Sequence, residues 1–280
     1  MATSFYLPSS IDEACSLLAE WQERATITNG GTDIVIEISK GRLTPCANIC
    51  IWNIEELHEI VQKGAYVSIG GAATYDEIMA SPLTQAFPGL IEAVSQIGSP
   101  AIRSVATLAG NICTAAPAPD GCTMAMALDA QAVLKSTEGE RMVPMSEMLL
   151  GRGKTERANN ELLKEILLPI SGKNCAYNRI ARRRAQDIAK VMVGVSLEIE
   201  DDICKKAVVS LGALNAVPCR AYSAEELLQG VPVCEGLDRL RGFMPKEAAP
   251  RQSQFKRYKE QVLPTLLVRT AETAAQRGGA

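Results

Sequence analysis

Two stretches crowded with small residues carry the clearest chemical signal in this sequence. One spans residues 26–40 (TITNGGTDIVIEISK) and the other spans residues 104–129 (SVATLAGNICTAAPAPDGCTMAMALD). Glycine, alanine and threonine leave backbone N–H groups uncovered, so the chain can come close to a bulky anion. Two turns of this kind in one chain predict that a diphosphate is held between them.

The first of these turns opens a small unit of strand, helix and strand. We expect a strand over residues 25–28, a helix that begins near Ile34, and a second strand over residues 47–52. Gly30 and Gly31 lie just before the helix, where exposed N–H groups and the helix dipole favour an anion. An ordinary strand-to-helix turn has the same residues, so this motif alone leaves both interpretations open.

The cysteines and the histidine argue against several other kinds of site. The nine cysteines form no CxxC pair, which favours reduced thiols over disulfides or an iron–sulfur cluster held by this chain. The one histidine, His58, lies in a polar stretch and is expected at the surface. This argues against zinc and against a histidine relay. The sequence therefore predicts no catalytic residue and no metal ligand in this chain.

A third glycine-rich stretch resembles a phosphate-binding loop only in part. Residues 151–155 have the sequence GRGKT, but the P-loop pattern requires a glycine at position 148, where Met148 stands. We therefore interpret this stretch as a surface connection. No GxGxxG motif opens a helix, which leaves a Rossmann dinucleotide site without support.

Length, charge and hydropathy limit the kinds of partner. The chain has 280 residues, 47% of them hydrophobic, which is enough for about two domains. Its net charge of -3 provides no basic surface for nucleic acid or for an anionic membrane. The sequence has no basic start followed by an apolar segment. No apolar run approaches the ~18 residues of a membrane span, so we expect a cytoplasmic protein.

Hydrophobic spacing predicts an irregular mixture of helices and strands in the first half. We expect helices that begin near Ile11 and Thr74, and hairpins over residues 59–71 and 131–143. Thr74 and Glu77 have the spacing of a capping box. This order of elements favours an α+β fold over a regular parallel sheet.

The composition changes after Pro169, and we expect a second domain from about residue 170. Strands are predicted over residues 191–199 and 207–214, with a charged turn between them. A small antiparallel sheet backed by helices would follow from this order. The predicted helices cover residues 223–228, 237–243 and 253–275.

Arginine is concentrated in residues 177–190 (YNRIARRRAQDIAK), which carry four arginines and one aspartate. Three of the arginines, Arg182, Arg183 and Arg184, are consecutive. Such a run is typical of a solvated or interface surface. Planar guanidinium groups also suit a phosphate or a partner's carboxylate, so both interpretations stay open.

Three ordered motifs together resemble those of one family. They are NGGTD at residues 29–33, TLAGN at residues 107–111, and RR at 182–183 followed by DIA at 187–189. In this order and separation they resemble the FAD-binding (medium) subunits of molybdenum hydroxylases. That family includes the flavoproteins of xanthine dehydrogenases and carbon monoxide dehydrogenases. The resemblance covers nearly the whole chain, from the first helix to the terminal helix.

The resemblance implies a fold. Residues 1–170 would form the two-subdomain FAD-binding fold of the vanillyl-alcohol oxidase or PCMH type, with subdomains of about 1–55 and 56–170. Residues 171–280 would form a small α+β domain similar to the C-terminal domain of carbon monoxide dehydrogenase flavoproteins. That domain would consist of an antiparallel sheet with helices.

The resemblance also implies how FAD is held. The two turns would bind its diphosphate between them. Thr107 would offer its hydroxyl, Gly110 would allow close approach, and Asn111 would offer its side-chain amide. The cofactor contacts implied in and just after the two turns are Ile27, Thr28, Asn29, Gly30, Gly31, Thr32, Asp33, Ile34, Thr107, Leu108, Ala109, Gly110, Asn111 and Thr114.

Three further cofactor contacts are implied by the same resemblance. Asp120 would hydrogen-bond the polyol or ribose hydroxyls, and Leu163 would pack near the flavin ring. Arg179 stands at a position that is usually lysine in the family, so a cation is kept there. Ala109 replaces a glycine that is frequent in the second turn, and alanine fits there only at negative φ.

What the chain lacks indicates how it would work. It has no molybdenum-cofactor or iron–sulfur motif, so the resemblance implies a large molybdopterin-binding subunit and a small subunit with [2Fe-2S] clusters as partners. FAD in this chain would take electrons from the clusters and pass them to NAD⁺ or to another acceptor. The expected assembly is a heterotrimer or a dimer of heterotrimers, and its organic substrate would bind on a different chain.

Three alternatives differ from this hypothesis in testable ways. A stand-alone FAD oxidoreductase of the same fold would need a larger second domain with an acid/base residue. The ~110 residues after position 170 contain no histidine, which argues against it. A non-catalytic nucleotide-binding assembly protein would purify colourless. A plain structural α+β domain would make the three matched motifs a coincidence.

Overall fold

The computed structural model describes residues 3–183 and 186–279. Arg184, the last member of the arginine run, lies outside the described residues. A parallel sheet, a large antiparallel sheet and a second antiparallel sheet follow one another along the described chain. None of the helices in these residues is long and apolar enough to cross a lipid bilayer.

The first unit is a three-stranded parallel sheet with two helices. Its elements are β1 (Ser4–Tyr6), α1 (Ile11–Trp21), β2 (Ala25–Thr28), α2 (Ile34–Ser39) and β3 (Ala47–Cys50). The strand order is β1-β3-β2. Helix α1 follows Ser10, whose hydroxyl accepts a hydrogen bond from the Glu13 N–H, and it buries Ile11 and Leu18. The predicted strand, glycine turn and helix of this unit are confirmed.

The second unit is a five-stranded antiparallel sheet with short helices. Its elements are β4 (Ile60–Lys63), β5 (Tyr66–Gly70), α3 (Tyr75–Ala80), α4 (Pro82–Gln85), α5 (Pro88–Ser95), α6 (Pro100–Arg103), α7 (Leu108–Thr114), α8 (Asp120–Ala127), β6 (Gln131–Ser136), β7 (Gly139–Pro144), α9 (Met145–Met148), β8 (Leu149–Gly151), β9 (Lys154–Thr155) and β10 (Leu162–Pro169). The sheet order is β4-β5-β10-β6-β7, and β8 and β9 form a separate two-stranded sheet.

Local sequence signals in the second unit agree with the structure. The two predicted hairpins are confirmed as the pairs β4 with β5 and β6 with β7. The predicted capping box is also confirmed. Thr74 Oγ1 accepts from the Glu77 N–H (3.2 Å), and Glu77 Oε2 accepts from the Thr74 N–H (2.7 Å). These contacts fix the start of α3 beside the cleft described below.

Strand β10 is the middle strand of the second unit, and no element is predicted for it from the sequence. Both β5 and β6 pair with it, and most of its residues (LLKEILLP) are buried. A register shift between Leu163 and Glu165 breaks its alternation. A strand covered on both faces loses the apolar and polar alternation, so its sequence does not distinguish it from a buried helix.

The third unit is a four-stranded antiparallel sheet with three helices. Its elements are β11 (Cys175–Ile180), β12 (Val191–Glu200), β13 (Ile203–Gly212), β14 (Cys219–Arg220), α10 (Tyr222–Leu228), α11 (Val233–Leu240) and α12 (Lys256–Arg277). The predicted charged turn between two strands is confirmed. Asp201 and Asp202 form it, with φ of 50° and 60°.

Two predicted bounds in the third unit are wrong. The strand predicted over residues 207–214 begins at Ile203, because two lysines near its start hide the hydrophobic pattern. The helix predicted over residues 237–243 spans Val233–Leu240, directly after Pro232. Proline is compatible with the start of a helix, so the sequence contains this signal.

Helix α8 packs between the second and third units. All eight of its residues are buried. Ser210 Oγ in β13 donates to the Thr123 carbonyl oxygen (2.7 Å). Gly194 in β12 is so close to α8 that a Cβ on it would lie 2.8 Å from the Ala127 side chain. The first residue of α8, Asp120, is therefore positioned by both units. The division of the chain into domains near residue 170 stays a prediction.

Candidate cofactor site

A cleft of about 690 Å³ is lined by the glycine turn before α2, by α7 and by β10. All but two of the predicted cofactor contacts line it. Leu108 does not, because its side chain is fully buried in the core, and neither does Arg179. The predicted contacts that line the cleft are Ile27, Thr28, Asn29, Gly30, Gly31, Thr32, Asp33, Ile34, Thr107, Ala109, Gly110, Asn111, Thr114, Asp120 and Leu163.

The two small-residue turns touch each other. A Cβ on Gly30 would lie only 1.9 Å from the carbonyl oxygen of Val105, so only glycine fits at this position. Gly31 has a φ of +71°, which glycine adopts without strain. Thr114 Oγ1 lies 3.2 Å from Asp33 Oδ2 and 2.9 Å from the Gly110 carbonyl oxygen, so its one proton is shared between α7 and the first turn. The glycines therefore allow the two turns to contact each other, and they leave the backbone open to a ligand.

Some hydrogen-bond donors and acceptors of the second turn already have partners inside the protein. Thr107 Oγ1 accepts from the Gly110 N–H (3.0 Å) and caps α7, so this N–H is not available to a ligand. The Thr107 hydroxyl still has its own proton to donate. Asn111 Oδ1 accepts from the Cys122 N–H (3.1 Å), which leaves the amide nitrogen of Asn111 for a ligand. Ala109 is not among the residues with positive φ, so alanine fits there without strain.

Asp120 is a buried carboxylate at the start of α8. Its Oδ1 accepts from the Tyr177 hydroxyl (2.8 Å) and from Arg179 Nη1 (2.7 Å). Burial raises the pKa of Asp120, although the Arg179 cation and the Tyr177 hydrogen bond act in the opposite direction. One carboxylate oxygen is thus committed within the protein, and Oδ2 is the atom suited to a ligand hydroxyl.

Arg179 lies behind Asp120 and does not line the main cleft. Its side chain is only 3% exposed, and it also donates to Oε1 of Gln96 (3.1 Å). It lines a second cavity of about 380 Å³, which shares Asp120, Ile97 and Ile102 with the main cleft. The structure therefore gives Arg179 a positioning role toward Asp120. Its contact with the flavin stays a prediction.

Three buried polar atoms at the cleft have no hydrogen-bond partner among the described residues. They are Thr28 Oγ1, Asn29 Oδ1 and the Tyr75 hydroxyl, and all three residues line the cleft. Asn29 Nδ2 donates to the Ala72 carbonyl oxygen (3.1 Å), which fixes the orientation of the amide. Buried polar groups are almost always partnered in folded proteins. A ligand that brings both donors and acceptors, as FAD does with its phosphates and hydroxyls, fits this lining.

The stretch interpreted from the sequence as a surface connection contributes to the cleft. It forms the β8 and β9 hairpin, whose Leu150 is 63% exposed, so it does lie at the surface. It also brings Gly153 and Arg157 to the cleft lining. The Gly153 N–H donates to the carbonyl oxygen of Ala115, directly after α7 (3.0 Å). Neither Arg157 nor Tyr75 is identified by sequence reasoning, because no local motif marks them.

The aspartate of the DIA motif organises a loop beside the second cavity. The Asp187 carboxylate accepts from the backbone N–H groups of Arg182 (2.9 Å), Arg183 (3.1 Å) and Ile188 (3.0 Å). Both arginine side chains are exposed, which fits a solvated surface. Ile188 is 73% exposed and lines the second cavity. The motif thus places an apolar side chain next to the cavity that Arg179 lines.

Cys113 is the cysteine among the described residues that lines the cleft, and burial raises the pKa of its thiol. Within the two described ranges, no three histidine, cysteine, aspartate or glutamate residues group to hold a metal ion. The nine cysteines are free thiols, and burial raises the pKa of Cys122 to about 12 and that of Cys175 to about 11. His58 lies outside the cleft, where its Nε2 is 3.0 Å from the carbonyl oxygen of Trp52.

The fold and the cleft together define an FAD-binding flavoprotein. Residues 1–171 match the family described as the FAD binding domain in molybdopterin dehydrogenase. Residues 176–274 match the CO dehydrogenase flavoprotein C-terminal domain. The chain belongs to the FAD-binding subunits of the molybdenum hydroxylases, and it is an oxidoreductase subunit. The resemblance stated from the sequence motifs is confirmed.

Individual relatives agree with this family. The nicotinate dehydrogenase FAD-subunit of Eubacterium barkeri is 30% identical over 82% of this chain and 80% of its own length. The xanthine dehydrogenase FAD-binding subunit of Escherichia coli O157:H7 is 27% identical over 99% of this chain and 97% of its own length. A chain of carbon monoxide dehydrogenase from Hydrogenophaga pseudoflava has a TM-score of 0.89 at 25% identity, with 99% of this chain and 98% of that chain covered. The predicted α+β fold class is confirmed.

Proposed function

We propose that this chain takes electrons from [2Fe-2S] clusters of a partner subunit and passes them to NAD⁺ or to another acceptor, using FAD held in the main cleft. The observation that carries the proposal is the set of buried, unpartnered polar atoms of Thr28, Asn29 and Tyr75 around a cleft between two turns. Bound FAD would supply the exchange between one-electron and two-electron carriers.

The residues that would hold FAD follow from the contacts they leave unused. The Thr107 hydroxyl proton and the Asn111 amide nitrogen would donate to the diphosphate. Asp120 Oδ2 would accept from a ribityl or ribose hydroxyl, since Oδ1 is held by Tyr177 and Arg179. Leu163 is buried in β10 and lines the cleft, where it would pack against the flavin. In this arrangement the chain binds and orients the cofactor.

The ionisable groups of the cleft favour electron transfer over substrate chemistry. Glu37 pairs with Arg42 (3.2 Å), Asp120 pairs with Arg179 (2.7 Å), and Asp33 accepts from Thr114 (3.2 Å). Each of these acids thus has a partner within the protein, and His58 does not line the cleft. A stand-alone FAD oxidoreductase would need an acid or base directed at its substrate.

The names of relatives support an assembly with other chains. One relative is named a FAD-subunit, one a FAD-binding subunit and another a medium chain. By analogy, the partners here are a large molybdopterin-binding subunit and a small [2Fe-2S] subunit. The nine free thiols suit a reducing compartment, so a cytoplasmic location belongs to the same proposal.

The proposal is tested by purifying the chain together with the subunits that bind it. We expect the complex to contain FAD, molybdenum and iron. We also expect its reduced iron–sulfur subunit to transfer electrons to NAD⁺ or to an acceptor dye only when the FAD-loaded chain is present. Electron transfer at the same rate in a complex without this chain would contradict the proposal. A chain that purifies without flavin and without metal-containing partners would also contradict it.

A further inference from the structure

Arg157 lies at the edge of the cleft, and its side chain is held in place. Its Nη1 donates to the carbonyl oxygens of Ala158 (2.9 Å) and Glu161 (2.7 Å). Its guanidinium also lies against Cys113, a residue of α7 whose thiol pKa is raised by burial and lowered in part by this cation. Arg157 is thus oriented by neutral groups before any ligand binds, which reduces the entropic cost of binding.

The carboxylates closest to Arg157 in sequence form their ion pairs with Arg141, and Arg157 acts on Glu161 only from beyond ion-pair distance, where its charge helps to lower the pKa of that carboxyl against the effect of burial. Glu161 forms two hydrogen bonds with Arg141, at 2.6 Å and 2.9 Å, and Glu156 lies 3.5 Å from the same guanidinium. Among the residues that the structure describes, no carboxylate oxygen lies within 4.0 Å of the Arg157 guanidinium. Its charge therefore remains for an anion that enters the cleft.

The other described residues that line the cleft include no lysine or arginine. Of the described residues that line it, Arg157 alone is a lysine or arginine, whereas Asp33, Glu37 and Asp120 are acidic. A diphosphate carries about two negative charges at neutral pH, and an uncompensated charge in a partly buried site is costly. Backbone N–H groups and hydroxyls supply hydrogen bonds, but only Arg157 supplies a full positive charge in this lining.

We propose that Arg157 is the residue that neutralises the diphosphate of the bound dinucleotide, as a positioning and affinity residue without a role in the chemical step. This inference rests on the proposed FAD function. It predicts that binding strength depends on the phosphate charge of the ligand, and that this dependence is lost with the guanidinium. The hydrogen bond from the Gly153 N–H to the carbonyl oxygen of Ala115, directly after α7, holds the hairpin that precedes Arg157 beside the second turn.

The experiment compares the purified chain with three variants: Arg157→Gln, Arg157→Lys and Arg152→Gln. Arg152 is an exposed arginine of the β8 and β9 hairpin, five residues before Arg157, and it does not line the cleft, so it is the matched control. Affinities for FAD, and for riboflavin as a ligand without phosphate, are measured by quenching of flavin fluorescence at low and high salt. Circular dichroism and thermal unfolding of each cofactor-free variant confirm that it is folded.

We expect Arg157→Gln to weaken FAD binding by about tenfold to a hundredfold and to make it less sensitive to salt. Riboflavin affinity changes by less than about twofold, Arg157→Lys retains part of the affinity, and Arg152→Gln behaves as the unmutated chain. Equal FAD affinity and salt dependence in Arg157→Gln and the unmutated chain would overturn the inference and leave the proposed function intact. An equal loss for riboflavin would overturn it as well, because that indicates lost packing.

Two further outcomes are distinguishable from a failure of the Arg157 inference. If the unmutated chain binds no FAD, the proposed function itself fails. If Arg157→Gln does not fold, the inference is tested by the salt dependence of FAD binding in the unmutated chain and in Arg157→Lys. FAD binding by the unmutated chain that is insensitive to salt would contradict a charge contact at Arg157.

Discussion

Gly30 and Val105 lie so close together that a Cβ on Gly30 would be 1.9 Å from the Val105 carbonyl oxygen. These residues belong to the two small-residue regions that are far apart in the sequence. Their contact brings the glycine turn against the segment before α7 and forms one wall of the cleft. The shape of the site therefore depends on a backbone-to-backbone approach that only glycine permits.

Replacing Gly30 with alanine should separate the two turns. The new methyl group meets a backbone carbonyl, which cannot rotate away, so we expect a loss of about 3 kcal/mol or more in stability and loss of FAD binding. Gly41→Ala is the control, because Gly41 has nothing within 4 Å of its Cβ position. Its φ of +66° makes alanine cost about 1 kcal/mol, but FAD binding should persist. Urea unfolding and flavin titration measure the two effects.

Gly110→Val tests the second turn. A Cβ at Gly110 would lie 3.0 Å from Thr107 Oγ1, the atom that caps α7. A branched side chain should therefore weaken the cap, at a cost of about 1 kcal/mol, and intrude on the diphosphate position. We expect less FAD to remain bound after gel filtration. Retention at the level of the unmutated chain would show that this turn does not face the diphosphate.

Thr28→Val tests whether an unpartnered buried hydroxyl serves the ligand. Thr28 Oγ1 has no hydrogen-bond partner among the described residues, so its removal should leave the cofactor-free chain at least as stable. The increase in melting temperature caused by FAD should become smaller. Thr84→Val is the comparison variant, and both effects should be reversed in it. Thr84 Oγ1 donates to the carbonyl oxygens of Ile78 and Ser81 away from the cleft, so stability falls and the FAD effect persists. Identical behaviour of the two variants would contradict this assignment.

Arg179→Met leaves the Asp120 carboxylate buried without its cation. Removing one partner of a buried ion pair costs about 3–5 kcal/mol, and we expect a loss of this order at neutral pH. Burial already raises the pKa of Asp120, and loss of the arginine raises it further. An acid with a raised folded pKa destabilises the fold most above that pKa. The deficit should therefore shrink as the pH falls through the raised pKa, where Asp120 becomes protonated.

Urea unfolding of both proteins at several pH values measures this difference. Other carboxylates titrate in the same range, so the quantity that matters is the stability gap between variant and unmutated chain at each pH. A gap that does not change with pH would show that Arg179 acts through packing. Arg179→Lys should restore most of the stability at neutral pH, because a cation returns beside Asp120.

The sequence identifies features that depend on local spacing. The Thr74 and Glu77 capping box, the two hairpins and the glycine turn at Gly30 and Gly31 all appear where their local chemistry predicts them. The clustering of the two turns also agrees with the residues that line the cleft. The capping box, the hairpins and each turn are signalled within a few consecutive residues, whereas the pairing of the two turns rests on their shared composition.

Features that depend on tertiary contacts are not predictable in this way. Strand β10 is covered on both faces, so its sequence lacks alternation. The family resemblance implies Arg179 as a cofactor contact, but the sequence does not reveal that its guanidinium pairs with Asp120 and lines the second cavity. Tyr75 and Arg157 reach the cleft only because α3 and the β8 and β9 hairpin pack beside α7. No short sequence pattern predicts that these two side chains lie at the cleft.

Calorimetric titration of the purified, cofactor-free chain with FAD measures whether the cleft between the two turns holds the cofactor. We expect saturable binding of one FAD per chain, and loss of that binding in Gly30→Ala while Gly41→Ala still binds. Absence of binding by the unmutated chain, both alone and with its partner subunits, would contradict the account. Unchanged binding in a folded Gly30→Ala variant would contradict the placement of FAD between the two turns.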